Sequence, residues 1–262
     1  MGALSMADIT IRRPIFWETF QASDVGTVRE VNEDSVLSIP EKNIWVVADG
    51  MGGYEAGNVA SRMVVEALDR IPKSQAPLSD LVDTVEDELI AVNQRILDYS
   101  SQQLEGRMLG STVVSLVIKG RVGICLWAGD SRLYRFRNKQ LEQLSRDHSE
   151  VEEQVQQGLL TAEEARHHPE ANVITRAIGA SDEVIIDINA FSTQVGDVFL
   201  LCSDGLYNKV SEDNISFALL TLPINEVVGH LIQTALNNGA DDNVSVILVK
   251  GVKNEPSNRG GT

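Results

Sequence analysis

WVVADGMGG, residues 45 to 53, joins an apolar run of strand type to a glycine-rich turn, with a carboxylate, Asp49, at the junction. A short run of Trp, Val and Ala bounded by Gly reads as a buried strand. Asp-Gly after a strand is the usual hairpin turn. Here no returning strand follows within turn distance. From Ala56 onward, Val59, Ala60, Met63, Val64, Ala67, Leu68 and Ile71 recur at helical spacing, and Pro72 closes the helix. The segment therefore predicts a strand that ends at Asp49 and feeds a helix.

Working outward, Leu78, Leu81, Val82, Val85, Leu89, Val92 and Ile96 form the apolar stripe of a second helix. The period then changes. STVVSLVI and RVGICLWA are β-rich runs joined at Lys119-Gly120, and RLYRFRN and QLEQL turn at Asn138-Lys139. Upstream, FWETFQASD alternates as a strand. Downstream, EVIIDINAF, DVFLLCSD and NVSVILVK are strands, with helices at about 211–220 and 224–237 between the last two. Residues 146 to 170 are polar and helical in type, with a helix stop at Gly158 and a capping box at Thr161 and Glu164. They read as a small surface subdomain. Helices come in pairs and strands in hairpins, without βαβ alternation. The class is α+β, a sandwich of antiparallel sheets.

The 262 residues carry 43% hydrophobic and 23% charged residues, an ordinary globular composition. The net charge of −16, from 38 acidic and 22 basic residues, disfavours nucleic acid and anionic membranes as partners. No apolar stretch of about 18 residues predicts a membrane span. The first residues lack the apolar core of a signal peptide, and Met6 breaks the myristoylation pattern. Cys125 and Cys202 sit in apolar runs and read as buried free thiols of a reducing cytosol.

The carboxylate at the end of an apolar run recurs. Asp204 follows VFLLCS, Asp130 follows LWAG, Asp241 and Asp242 precede NVSVILV, and Glu33 and Asp34 stand in VREVNEDS. Each alone reads most simply as turn chemistry. If they converge, they repel one another unless a cation neutralises them. Oxygen-only ligands select Mg²⁺ or Mn²⁺. Two such ions sharing a carboxylate can hold a water as hydroxide at neutral pH, and a phosphate ester is its natural electrophile. Arg29, within five residues of the Glu33-Asp34 pair, could grip two phosphate oxygens. Other uses of the glycines fail. No Gly-Lys-Ser/Thr ends a P-loop, and the third glycine of a dinucleotide fingerprint falls on Glu55.

Seven motifs in order, SDVGTVREVNEDS, VVADGMGGYEAGNVAS, GSTVVSLVI, AGDSRLYRF, SRDHSEVEEQVQQGLLTAEEARHHPEANVITRAIG, VFLLCSDGL and GADDNVSVILV, span roughly residues 20 to 250. With them the chain resembles the bacterial type-2C, metal-dependent Ser/Thr protein phosphatases of the PPM family. The resemblance implies a four-layer α-β-β-α sandwich, two antiparallel sheets flanked by helix pairs. It implies that Asp49 bridges two ions, Mn²⁺ or Mg²⁺, and that the Gly50 carbonyl binds one of them. Asp204 and Asp242 would hold the other ion, with Asp34, and Glu33 through water, completing the shell. Asp130 with Asp204 would hold a third ion, and Arg29 would bind substrate phosphate. Residues 146 to 176 correspond to a flap that shapes substrate access.

The expected domain is a single catalytic unit, 15 to 252, with flexible tails at 1–14 and 253–262. The expected partners are phosphorylated proteins and a eukaryotic-like Ser/Thr kinase, and the expected protein is a cytoplasmic monomer. Where many eukaryotic relatives carry a histidine as general acid, this chain has Met51, so the leaving-group proton must come from a metal-bound water or another group. His148, His167 and His168 lie in or beside the flap; His230 lies in a helical pattern and is expected to be structural or exposed. Two rival readings are a catalytically silent module on the same fold, and a hydrolase of small phosphorylated molecules. Loss of a metal ligand would mark the first. Competition between a nucleotide and a phosphopeptide would expose the second.

Overall fold

The computed structural model describes residues 14–52, 56–166 and 168–253. Eleven strands and seven helices are found among them: β1 (Ile15–Asp24), β2 (Asp34–Ile39), β3 (Ile44–Gly52), α1 (Gly57–Asp69), α2 (Leu78–Gln103), β4 (Leu109–Ser111), β5 (Val113–Lys119), β6 (Val122–Ala128), β7 (Arg132–Arg137), β8 (Gln140–Gln143), α3 (Glu150–Gln156), α4 (Ala162–Arg166), β9 (Asp187–Ser192), β10 (Val198–Cys202), α5 (Asp204–Tyr207), α6 (Glu212–Thr221), α7 (Ile224–Asn237) and β11 (Val244–Lys253). One sheet runs β1-β11-β10-β7-β8 and the other β2-β3-β5-β6-β9, with β4 paired to β3. Every pairing is antiparallel.

The side-chain period of two sorts each central strand between two cores. On β3, Ile44, Val46 and Ala48 face the core shared with α1 and α2, where Val64, Leu68, Leu89 and Val92 are buried. Trp45 and Val47 face the core between the sheets, against Leu116, Phe199, Leu201 and Ile247. A strand covered on both sides needs apolar residues on both faces, which is why IWVVA is continuous. A third core packs β10 and β11 against α5–α7 through Leu200, Leu248, Val227 and Leu231. Four layers result, α-β-β-α.

The turns follow their chemistry. Asn138 and Lys139 both take positive φ, 52° and 65°, as a two-residue type I′ hairpin between β7 and β8 demands. Gly158 stops α3 at φ 72°. In the capping box ahead of α4, the Thr161 N–H donates to Glu164 Oε2 at 2.8 Å and the Glu164 N–H donates to Thr161 Oγ1 at 3.2 Å.

Three expectations need correction. β3 does not stop at Asp49: it continues to Gly52 because β4 replaces β5 as its partner from Gly50 onward. EVIIDINAF is a strand only from Asp187, where pairing to β6 begins. Lys253 is not tail; it ends β11, paired with Ile15. The remaining tail residues, 1–13 and 254–262, lie outside the described residues, as does His167.

Candidate metal centre

Five of the carboxylates singled out by sequence meet at one end of the sandwich. Asp34 opens β2 and stands in register opposite Asp49 of β3. Asp130 follows β6, Asp204 is the first residue of α5, and Asp242 precedes β11. Asp34 and Asp130 are buried, while Asp49, Asp204 and Asp242 keep partial access to solvent.

The backbone beneath them is rigid. Thr112, at the break between β4 and β5, donates its N–H to the Asp49 carbonyl at 2.8 Å and accepts the Asp49 N–H on Oγ1 at 3.1 Å. Its hydroxyl also meets Ser131 Oγ at 2.7 Å, beside Asp130. Ser203 Oγ donates to Asp34 Oδ2 at 2.7 Å and accepts the Ser245 N–H at 3.0 Å. Asn243 Oδ1 accepts the Glu33 N–H at 2.7 Å, and Asn243 Nδ2 donates to the carbonyls of Val25 and Val31. One amide thereby clamps the whole 25–33 loop to β11. Gly50 has to be glycine: a Cβ would lie 2.1 Å from the Gly57 carbonyl oxygen, because α1 starts directly against β3.

The electrostatics are unbalanced. Burial, followed by the charges of Asp34, Asp204, Asp130 and Asp242, pushes the Asp49 carboxyl well above the ordinary range. Burial raises Asp34 to about 6, and raises Asp130 and Asp204 to about 7, with neighbouring carboxylates adding to each. Asp34 Oδ1 is buried without a hydrogen-bond partner. A buried, unpartnered acceptor beside other carboxylates fits a hard divalent cation. Among the described residues no group of three or more His, Cys, Asp or Glu side chains is placed so that together they could hold a metal ion. Ions such as Mg²⁺ that keep several waters and use one or two carboxylates do not require such a group.

The remaining candidates are placed as follows. Arg29, half exposed, reaches the basin and pairs with Asp242 at 2.8 Å, and this hydrogen bond raises its pKa. Glu33 is near, but its Oε1 accepts the Gly57 N–H at 2.9 Å, supplying the cap that Ala56 lacks at the start of α1. Asp241 leaves the basin, paired with Lys209. Met51 lies opposite Gly110, its side chain filling the space over that glycine. His148 is buried and stacked on Trp127 with ring centroids 5.9 Å apart; its Nδ1 accepts the Gly129 N–H at 3.1 Å and its Nε2 faces Asp187 at 3.3 Å. Burial lowers its pKa, and its contacts fasten the flap. His230 is exposed on α7, and Cys125 and Cys202 are buried free thiols.

Sequence reasoning missed the supports: Thr112, Ser203, Ser245, Asn243 and Tyr207, whose phenol donates to the Asp130 carbonyl at 3.1 Å and to its Oδ2 at 3.2 Å. Their only trace in the sequence is that each polar residue sits within a few positions of a strand end.

Comparison with known proteins agrees with this geometry. The family model described as Protein phosphatase 2C matches residues 27–245. The Serine/threonine phosphatase stp of Listeria welshimeri is 34% identical over 235 residues, 87% of this chain and 93% of that protein. The structure described as PppA, a key regulatory component of T6SS in Pseudomonas aeruginosa, superposes with a TM-score of 0.84 at 39% identity, covering 92% of this chain and all of that one. The catalytic domain of the serine threonine protein phosphatase PstP in complex with two manganese ions superposes with a TM-score of 0.82 at 33% identity, covering 91% of this chain and all of that one. With the family model spanning most of its length and the sandwich shared with solved relatives, the chain belongs to the protein phosphatase 2C family.

Proposed function

We propose that this chain is a metal-dependent phosphatase that hydrolyses phosphoserine and phosphothreonine on proteins, with its cations held by the carboxylate basin. The observation that carries the reading is the convergence of Asp34, Asp130, Asp204 and Asp242 on Asp49, with one oxygen of Asp34 buried and unpartnered. Asp49, which feels the charge of the other four acids, would help to hold the cations, Mn²⁺ or Mg²⁺. The Gly50 carbonyl is assigned to one ion, and Asp204 and Asp242 to the other. Asp34, and Glu33 through its second oxygen by way of water, complete the shell. Asp130 with Asp204 is assigned a third ion.

When bound, the cations acidify the attacking water and offset the charge of the phosphate. Arg29 orients the phosphate by a two-pronged hydrogen bond, exchanging its contact with Asp242 for one with substrate. Met51 carries no proton to give, and among the described residues His148 is committed to the flap stem. The leaving serine or threonine oxygen therefore takes its proton from solvent in the basin.

The opposing enzyme is a Ser/Thr kinase of the same pathway, and the protein works as a cytoplasmic monomer. Among the described residues no helix is long and apolar enough to cross a membrane. The direct test is phosphate release from a phosphothreonine peptide with Mn²⁺, then with excess chelator. Release that stops on chelation is expected. Release that survives chelation removes the metal from the mechanism.

A further inference from the structure

Between the flap and the catalytic core lies a cavity of about 440 Å³. Its flap wall carries an apolar strip, Val151 and Val155 of α3 with Ala162 and Ala165 of α4, between the polar Ser149, Glu152 and Asn172. Its core wall holds Tyr207 and Asn208, and both also touch the metal centre: Tyr207 donates to Asp130, and Asn208 Nδ2 donates to Asp204 Oδ2 at 3.2 Å. The cavity and the basin are thus separated by one layer of side chains.

The charges lining it are one-sided. Among the described lining residues Asp147, Glu152 and Glu212 contribute three carboxylates and Arg132 one cation. Arg132 is already committed, with two-pronged hydrogen bonds to Asp147 and its guanidinium 3.6 Å above the Tyr207 ring. Glu152 faces Arg146 at 3.8 Å, whereas Glu212 makes no ion pair among the described residues. A mixed cavity with an apolar strip along α3 and α4 and an unpaired carboxylate, Glu212, suits a long aliphatic stem ending in a cation, which can lay its methylenes on the strip and keep its head beside the acid. It opposes phosphate, acidic peptide and anionic lipid.

We propose that this cavity is a specificity subsite for a lysine or arginine side chain of the phosphoprotein substrate, close in sequence to the phosphorylated residue. The proposal rests on the phosphatase reading above. A substrate with its phosphate in the basin and its backbone crossing Tyr207 delivers a neighbouring side chain to the cavity mouth, so the flap selects among phosphosites by their basic neighbours.

The test uses the intact protein with Mn²⁺ and phosphothreonine peptides that differ by one residue, with lysine, alanine or glutamate scanned through the positions either side of the phosphothreonine. p-Nitrophenyl phosphate, too small to reach the cavity, serves as control. At one register lysine is expected to raise kcat/KM about three- to tenfold over alanine, and glutamate to lower it, the size of one or two weakly screened ion pairs. Glu212→Lys, at an exposed position that no core depends on, should abolish or invert that preference and leave turnover of the small substrate unchanged. Ala165→Leu should erode it by narrowing the cavity. Equal kcat/KM for all peptides, or a lysine preference that survives Glu212→Lys, overturns the subsite while hydrolysis of the small substrate upholds the phosphatase. Failure to hydrolyse either substrate with Mn²⁺ overturns both.

Discussion

The carboxylate basin and the flap beside it are held in opposite ways. The basin hangs from strand ends whose backbones are locked by Thr112, Ser203 and Asn243, yet its charges are left unbalanced. The flap is the reverse. Its caps are satisfied locally, as in the Thr161–Glu164 box, and its helices α3 and α4 are short. Its stem closes on itself where Ser149 bridges Ile174 and the His148 carbonyl accepts the Thr175 N–H, and it joins the core where the His148 N–H donates to the Gly129 carbonyl and Ser111 bridges Ile178. A rigid frame with frustrated charge binds cations. A locally satisfied element on a narrow stem can change its distance from the frame without disturbing it. The two regions should therefore respond to substitution differently.

The largest effect is expected in the basin. Asp49→Asn, Asp204→Ala or Asp242→Ala should cut turnover by about a thousandfold or more. The metal-free fold should survive, and for Asp49→Asn its Tm should hold or rise by about 2–4 °C, because folding no longer has to protonate a buried carboxyl. Calorimetry beside a phosphate-release assay decides this; a variant that keeps full turnover removes its residue from the metal centre. Next, Arg29→Ala should raise KM about tenfold with a smaller change in kcat, because phosphate binding is lost and not the ions. Unchanged KM would place Arg29 outside the site.

The pH response sharpens the same contrast. Asp34, Asp130 and Asp204 hold their protons to about pH 6–7, so cation binding must displace them. Apparent Mn²⁺ affinity should climb as pH rises through that range, by about tenfold per unit for each proton displaced. In the metal-free protein the folded carboxyls keep protons that the unfolded chain has released above about pH 4. Stability should therefore fall as pH rises from about 4 to 7, and the gain in Tm on adding Mn²⁺ should be greatest at the top of that window. Titration calorimetry in buffers of different ionisation heat measures the protons released; none released would mean the acids are already charged. The smallest effect belongs to the flap. Thr161→Ala should cost about 1 kcal/mol of local stability, visible as faster amide exchange in α4 with the global Tm nearly unchanged. A matching drop in global Tm would mean that the flap and the frame unfold together.

The fold was legible where period and burial coincide. The stripes of α1 and α2, the Asn138-Lys139 turn and the Thr161 box all stand where their spacing puts them. Legibility failed where a strand's length is set by its partner: β3 outruns Asp49 only because β4, more than fifty residues later, pairs with it. For the site, the acids themselves were visible as carboxylates at the ends of apolar runs. Their supports were not, since nothing local marks Asn243 as the amide that binds Val25, Val31 and Glu33 across more than 200 residues. Asp241 shows the converse error: it has the same local pattern as Asp242 and serves a surface pair.

That Asn243 clamp has a consequence for how the enzyme is made. The loop carrying Arg29 and Glu33 is synthesised first, and the residue that holds it arrives more than 200 residues later. A ribosome must add Asp242, Asn243 and then β11 before the loop can close over the basin. Contacts of this separation form late because the intervening chain must first be ordered. The nascent polypeptide is thus expected to be inert toward phosphoproteins around it until β11 docks, so that translation itself would set the moment at which dephosphorylation can begin.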